Sequence, residues 1–191
     1  WRDPGYGAHV ARAARRSYGF AAMILGLQGL LFWTAERAFD SWYSVDVTLS
    51  PANMLYPLLL PALAWCAAVS EEAVYRMFAI PAFRRLFRRT APAVAAAGVV
   101  WALGHVQYPV YPFYTRIVEG TVIGVFFGYI FLRHGLIAAV FTHAIVDTVW
   151  FALTLLAAPD GWKQAPVALG YVLLPLIVAE MTARLHRRRF P

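Results

Sequence analysis

Apolar runs long enough to cross a lipid bilayer follow one another along most of this chain, and short charged connections separate them. Of the 191 residues, 61% are hydrophobic and 14% are charged, whereas a soluble domain usually carries about 25% charged residues. A helix that spans a bilayer needs about 20 apolar residues. Six stretches meet or approach this length: 18–35, 52–83, 93–107, 117–132, 136–157 and 167–183. The sequence therefore predicts an all-α, polytopic transmembrane helix bundle of about six spans.

The length of the chain leaves room for one compact bundle and no second soluble domain. We therefore expect residues 1–191 to form a single integral-membrane domain. Pro57 and Pro61 are expected to kink the second span, because proline lacks a backbone N–H and clashes with the preceding helical turn. Since the chain opens at Trp1 without a methionine, it is expected to be a processed or trimmed fragment.

Basic residues alternate between the two sides of the predicted bundle. One side carries thirteen: Arg2, Arg12, Arg15, Arg16, Arg84, Arg85, Arg88, Arg89, Arg133, Arg184, Arg187, Arg188 and Arg189. The other side carries Arg37, Arg116 and Lys163, and Arg76 lies inside a span. The positive-inside rule then places both termini in the cytoplasm. This topology accounts for the net charge of +7. Nucleic acid is therefore not an expected partner, and the expected location is the lipid bilayer of a bacterial inner (plasma) membrane.

Aromatic residues crowd the side that carries few basic residues. They are Trp42, Tyr43, Tyr108, Tyr111, Phe113, Tyr114 and Trp162. Tyr and Trp are enriched at membrane–water interfaces, so an interfacial belt is the simplest interpretation. For the segment 108–112 that interpretation is a kinked anchor, and the alternative is a lip that contacts substrate.

Ionisable side chains interrupt three of the predicted spans. They are Glu71, Glu72 and Arg76 in the second span, His105 in the third, and His143 and Asp147 in the fifth. On insertion scales, a charged residue at the bilayer centre costs about 2.5–3.5 kcal/mol. At a helical rise of about 1.5 Å per residue, Glu71 and His105 lie about 20 Å from the basic surface. Asp147 lies about 18 Å from it and His143 about 12 Å. Polar groups from three helices are therefore expected to meet.

Two of these clusters have the four-residue spacing that puts side chains on one helix face. Glu72 and Arg76 are expected to pair, and a structural ion pair that locks helices together is the simplest role. Glu71 points about 100° away from Glu72, so it stays available for chemistry and suits a general base. Asp147 is expected to hold the His143 ring in one tautomer, or to share a site with it, with a satisfied core pair as the alternative.

His105 follows a run of small residues, 93–104, which allows close helix packing. A lone buried histidine is more often a hydrogen-bonded structural residue than a catalyst. The hypothesis that His105 is catalytic therefore depends on its predicted depth in the membrane. Glu71, His105 and His143 are also a donor set for zinc, although the His-Glu-x-x-His spacing of soluble metalloproteases is absent. Cys66 is the only cysteine, which leaves neither an internal disulfide nor a thiol metal site.

These residues resemble the motifs of the CPBP intramembrane protease family, which includes the CAAX prenyl endopeptidases and the bacterial Abi proteins. The family's first motif is a Glu-Glu pair with an arginine four residues after the second Glu. Glu71, Glu72 and Arg76 match it in full. The resemblance covers about 57–150, which contains all the core motifs. It is also close to the small glutamic-type intramembrane proteases paired with C-terminal sorting tags.

The other two motifs of that family are found in the expected order. The second is an aromatic residue, usually Phe, four residues before a His, and Trp101 with His105 matches this pattern. The third is a His followed four residues later by Asn or, less often, Asp, and His143 with Asp147 matches it. Each motif is weak alone, but the three together are specific.

The resemblance implies a peptide hydrolase that cleaves a membrane-anchored protein or peptide. It implies that Glu71 activates a water that His105 helps to hold. His143 and its partner at position 147 stabilise the oxyanion in this scheme. The aspartate is a departure, because an Asn donates a hydrogen bond to an oxyanion and an ionised Asp cannot. Asp147 is therefore expected to be protonated, to orient His143 or to coordinate a metal.

The resemblance leaves a glutamate-dependent and a zinc-dependent mechanism open. We favour the glutamate mechanism, because Glu71, Glu72 and Arg76 already form a polar cradle in which Glu72 and Arg76 brace the site. No cofactor is then expected. The alternative is a zinc ion held by Glu71, His105 and His143.

Two other function classes are compatible with the same residues. Buried Glu, His and Asp also form proton relays in small carriers or channels, but the spans show no obvious inverted duplication, and the polar groups gather at one depth. The third hypothesis is a non-catalytic membrane scaffold whose polar cluster only joins helices. The intramembrane endopeptidase is the favoured hypothesis, since three motifs agree on it.

Overall fold

The computed structural model describes residues 3–43, 59–157 and 161–190, and these are mostly helical. This confirms the predicted all-α, membrane-type bundle. The helices are α1 (Tyr6–Phe39), α2 (Leu60–Glu71), α3 (Ile80–Phe87), α4 (Thr90–Leu103), α5 (Phe113–His134), α6 (Leu136–Ala157) and α7 (Ala165–Arg189). A π-helical segment, Glu72–Ala79, joins α2 to α3, and a 3-10 turn, Gly161–Gln164, precedes α7.

The described parts of five predicted spans are helical, but the third span, predicted as 93–107, is helical only to Leu103, and residues 104–107 form a turn that contains His105. Among the described residues, four helices are long and apolar enough to cross a membrane: Tyr6–Phe39, Phe113–His134, Leu136–Leu153 and Gly161–Arg189. The third predicted span corresponds to α4, a shorter apolar helix. The second is divided into α2, the π-helical segment and α3. The number of spans and the side on which the termini lie stay predictions.

The two prolines predict a kink near the start of the second span, but the irregularity lies further along the chain. Pro61 lies in the first turn of α2, where proline has no hydrogen bond to lose and its fixed φ favours a helix start. Pro57 lies outside the described residues. Instead, the eight residues Glu72–Ala79 are π-helical. Such turns are rare and often occur at functional sites.

The bundle core lies between α1, α4, α5 and α6. Its buried residues include Ile24, Trp101, Ile123, Phe127 and Ile145. Helix α6 packs against α1, α2, α5 and α7, so the polar residues of α6 are surrounded by helices on several sides. This central position brings the fifth predicted span next to the second and third.

A short antiparallel pairing joins two connections at one end of the bundle. Strand β1, Trp42–Tyr43, pairs with β2, Val110–Tyr111. The rings of Trp42 and Tyr111 stack at 4.7 Å. The pairing fixes the connection between α4 and α5, which carries aromatic residues next to His105.

A face of small residues brings α4 and α5 into close contact. Gly120, Gly124 and Gly128 recur every four residues on α5 and lie against α4. A Cβ on Gly124 would lie 2.8 Å from the Gly98 Cα and 3.1 Å from the Trp101 ring. Small residues permit such approaches between membrane helices. This contact therefore sets the position of Trp101 and of the turn that follows it.

Gly124→Ala is expected to destabilise the bundle by about 1–3 kcal/mol, because the added methyl group meets backbone that has no room to move. Gly26→Ala in α1 is the matched control, since nothing lies within 4 Å of a Cβ at that position. Alanine is also the better helix former there, by about 1 kcal/mol. Thermal unfolding in micelles measures both variants, and equal stabilities would contradict the close contact.

Candidate active site

The Glu71 carboxylate is the point where side chains from α2, α4 and α6 meet. Its Oε2 accepts a hydrogen bond from Trp101 Nε1 at 2.5 Å. The same oxygen lies 3.7 Å from His105 Nε2 and 4.0 Å from His143 Nε2. The Glu71 side chain is 25% exposed, so it stays accessible. The structure thus brings together three residues whose depths predicted a meeting.

His105 lies in the turn after α4, and a backbone contact fixes its tautomer. Its Nδ1 lies 2.7 Å from the Trp101 carbonyl oxygen. A carbonyl oxygen only accepts, so Nδ1 carries the hydrogen. In the neutral ring, Nε2 is then an acceptor on the side of Glu71. Tyr108 stacks on the ring at 5.6 Å with an interplanar angle of 13°, which holds the imidazole in place.

Glu72 and Arg76 form a buried ion pair behind the site. Glu72 Oε1 lies 3.0 Å from Arg76 Nη1, and both side chains are almost completely buried. The guanidinium also lies over the rings of Trp101 and Phe127, at 4.9 and 5.0 Å. Such cation–π contacts help to offset the free-energy cost of burying the charged guanidinium. The pairing predicted from the four-residue spacing is confirmed.

His143 lies between two carboxylates. Its Nδ1 is 2.8 Å from Glu72 Oε1, and its Nε2 is 3.3 Å from Asp147 Oδ2. Carboxylate oxygens accept hydrogen bonds, so an imidazolium with a proton on each nitrogen satisfies both contacts. Of the three roles expected for Asp147, this geometry fits the orientation of His143.

A cavity of about 880 Å³ opens beside these side chains. Glu71, Trp101, His105, His143 and Asp147 contribute to its wall. Much of the remaining wall is apolar or aromatic and includes Phe32, Trp33, Leu63, Val146, Trp150 and Phe151. Polar groups set in a largely apolar wall interact more strongly with a bound polar group, because the effective dielectric constant there is lower than in bulk water. The arrangement suits acid–base chemistry on an apolar ligand.

The match to a known family covers the part of the chain that carries all of these motif residues. Residues 53–149, just over half of the chain, match the family described as Type II CAAX prenyl endopeptidase Rce1-like. The chain belongs to this family. No curated protein and no solved structure gives a significant match. Rce1-like membership and the four long apolar helices together identify an integral-membrane endopeptidase whose substrate is a membrane-associated protein.

The zinc alternative for the Rce1-like site has Glu71, His105 and His143 as its ligands. Within residues 3–43, 59–157 and 161–190, no group of three or more His, Cys, Asp or Glu is arranged to hold a metal ion. His105 Nδ1 contacts the Trp101 carbonyl oxygen and His143 Nδ1 contacts Glu72, and the Nε2 atoms of both rings face Glu71.

Two aromatic residues support the Rce1-like site in ways that the sequence did not reveal. Trp101 matches the aromatic position of the second motif, but its indole N–H also holds Glu71, which the usual Phe cannot do. Phe127 is buried and packs on His143 at 4.9 Å. Nothing in its local sequence distinguishes it from the other 12 of the 13 phenylalanines.

Tyr108 and its two neighbours form part of the cavity wall. Tyr108, Pro109 and Val110 line the cavity, and the lip that contacts substrate stays a prediction. Burial and the negative charge of Asp147, partly opposed by Arg116, raise the pKa of Tyr108 above its ordinary value. Its hydroxyl group therefore keeps its proton at neutral pH and is able to donate a hydrogen bond.

Proposed function

We propose that this Rce1-like chain hydrolyses a peptide bond of a membrane-associated protein with Glu71 as the general base. One observation carries the proposal: a single Glu71 oxygen faces both His105 Nε2 and His143 Nε2, at 3.7 and 4.0 Å, on the wall of a large cavity. A base must lie within hydrogen-bond reach of the proton that it removes, directly or through one water. Glu71 meets this requirement for a water in the cavity.

A water between Glu71 and His105 is the proposed nucleophile. The distance of 3.7 Å between Glu71 Oε2 and His105 Nε2 is too long for a direct hydrogen bond, but one water is able to donate one hydrogen bond to each of these two atoms. Its oxygen lone pair is then free to attack the substrate carbonyl carbon. Glu71 takes the proton as the C–O bond forms, and it returns the proton to the leaving nitrogen as the C–N bond breaks.

His143 is the proposed donor to the oxyanion that forms at the substrate carbonyl. Glu72 holds its Nδ1 side, and Asp147 lies next to its Nε2. The single proton on Nε2 is shared between Asp147 and the oxyanion, which gives a charged donor close to the reacting carbon. Asp147 stays ionised in this scheme, keeps that proton on the ring and does not contact the oxyanion. Glu72 and Arg76 act as positioning residues.

The proposed setting is a bacterial inner membrane, with residues 1–191 as one protease domain and the arginine-rich side in the cytoplasm. The apolar cavity wall supports a membrane-anchored polypeptide as the substrate. A comparison of membrane proteomes from cells with wild-type enzyme and with Glu71→Gln tests the function and identifies substrates. Uncleaved precursors are expected with Glu71→Gln only. Identical peptide termini in the two proteomes would contradict an endopeptidase.

The glutamate mechanism predicts activity that does not depend on zinc. Purified active enzyme is expected to contain much less than one zinc per chain and to keep its rate in the presence of a chelator. Elemental analysis and a cleavage assay on the same sample measure the two quantities. One zinc per chain together with activity that is lost in chelator and restored by zinc would support the metal-dependent alternative.

A further inference from the structure

The cavity that holds Glu71 also contains an arginine that the proposed mechanism does not use. Arg116, in the first turn of α5, is the only lysine or arginine among the described residues of the cavity wall, where Glu36, Glu71 and Asp147 are acidic. Its side chain is 14% exposed. A buried cation needs compensation, so its contacts decide between a structural role and a binding role.

The carboxylate of Glu119, which lies behind the cavity wall, holds Arg116 in place. Arg116 Nη1 donates to Glu119 Oε2, and Gln28 Nε2 donates to Glu119 Oε1 at 3.0 Å. Trp150 Nε1 donates in turn to Gln28 Oε1 at 3.3 Å. Glu119 is 3% exposed and does not line the cavity, whereas Arg116 does. The carboxylate is therefore satisfied behind the wall, and the guanidinium belongs to the wall itself.

The pair with Glu119 does not use all the donors of Arg116. A guanidinium has five N–H groups in a planar fork, and Glu119 takes one through Nη1. The buried Nε has no hydrogen-bond partner in the part of the chain that the structure describes. Because Nε is buried, the donors that fit a carboxylate ligand in the cavity are the remaining N–H groups on Nη1 and Nη2, and a carboxylate accepts two parallel N–H bonds.

Ring stacking connects Arg116 to the reacting groups. Its Cζ lies 5.3 Å from the Tyr108 ring centre, and Tyr108 stacks on His105 at 5.6 Å. The Arg116 Cζ therefore lies no farther from the centre of the His105 ring than the sum of these two distances. Because an extended peptide advances about 3.3–3.6 Å per residue, a group bound at Arg116 lies within about three residues of a peptide bond next to His105.

We propose that Arg116 is a specificity-determining residue that binds a carboxylate of the substrate within about three residues of the cleaved bond. The inference rests on the proposed endopeptidase activity and narrows its substrate class to apolar, membrane-associated polypeptides with an anionic group near the cleavage position. That group is an acidic side chain or a terminal carboxylate. The acidic residues elsewhere on the wall repel it, so Arg116 fixes the register of the bound peptide.

Paired synthetic peptides test this role in liposomes that contain the full chain. N-acylated apolar peptides are made with a C-terminal carboxylate or amide, and with an internal Glu or Gln. Cleavage positions, kcat and KM are compared for wild type, Arg116→Gln and Arg116→Lys. Arg37→Gln is the matched control, because Arg37 is exposed in the last turn of α1 and does not line the cavity.

Wild-type enzyme is expected to favour the carboxylate member of one pair by about 10- to 100-fold in kcat/KM, mainly through KM. Arg116→Gln is expected to remove this preference and still cleave the neutral member. Arg116→Lys is expected to keep part of the preference, and Arg37→Gln all of it. The pair that shows the preference distinguishes a terminal carboxylate from an acidic side chain.

Separate results bear on the activity and on the role of Arg116. No cleavage of any peptide by wild type would count against the endopeptidase. Cleavage without a carboxylate preference, or a preference that survives in Arg116→Gln, would overturn the role of Arg116 alone. If Arg116→Gln does not fold because Glu119 loses its cation, the double variant Arg116→Gln/Glu119→Gln leaves no uncompensated charge and is compared in the same way.

Discussion

Glu71→Gln is expected to lower kcat for cleavage of a membrane-anchored peptide by about 10²- to 10⁴-fold, the usual effect of removing a general base. Glutamine keeps an oxygen that accepts from Trp101 Nε1, but it cannot take a proton from water. Since the side chain is 25% exposed, the change leaves no buried charge uncompensated, and the protein is expected to fold and insert normally. Product formation in reconstituted liposomes, followed by mass spectrometry, measures the rate.

Glu180→Gln is the control for this experiment, because Glu180 lies on α7 and is not part of the cavity wall. It is expected to keep the wild-type rate. His105→Ala removes the second acceptor for the water and is also expected to lose activity. A normal rate for Glu71→Gln, beside a normal rate for Glu180→Gln, would mean that another group activates the water.

Helical spacing is sufficient to predict contacts within one helix. The four-residue separations predict the Glu72–Arg76 and His143–Asp147 contacts, which the structure has at 3.0 and 3.3 Å. Depth along the helices also predicts that the second, third and fifth spans share a site. Spacing does not say which helix faces which, because rotation about each helix axis is set by tertiary packing. The contact between Glu72 and His143 is therefore a structural finding.

Counting charges along the sequence does not reveal the contacts that Arg116 makes in the folded protein. The positive-inside rule treats it as one of three basic residues on the sparsely charged side. Glu119 lies three residues later, which is a local signal for an ion pair. Gln28 completes the arrangement from 91 residues away, and only the packing of α1 against α5 brings it there. The π-helical segment is also not predictable from the sequence, since no spacing rule says that it begins at Glu72.

Arg76→Met is expected to destabilise the folded protein by about 3–5 kcal/mol, because it removes the cation beside a buried carboxylate. Glu72 is 0% exposed and would keep only the contact with His143 Nδ1. Methionine fills most of the volume, so the lost charge dominates the effect. Unfolding in micelles with increasing SDS measures the free energy of unfolding. Activity per folded molecule is also expected to fall, because Arg76 positions Glu72 and Glu72 in turn holds His143.

Three further variants separate charge from size at Arg76. Arg85→Met changes an exposed arginine on α3 and is expected to leave the free energy of unfolding unchanged. Glu72→Gln/Arg76→Met removes both charges and is expected to recover much of the loss, because no charge stays uncompensated. With Glu72→Gln alone, these variants close a double-mutant cycle that gives the coupling energy of the pair. Equal losses in the single Arg76→Met and the double variant would instead assign the stability to the contacts with Trp101 and Phe127.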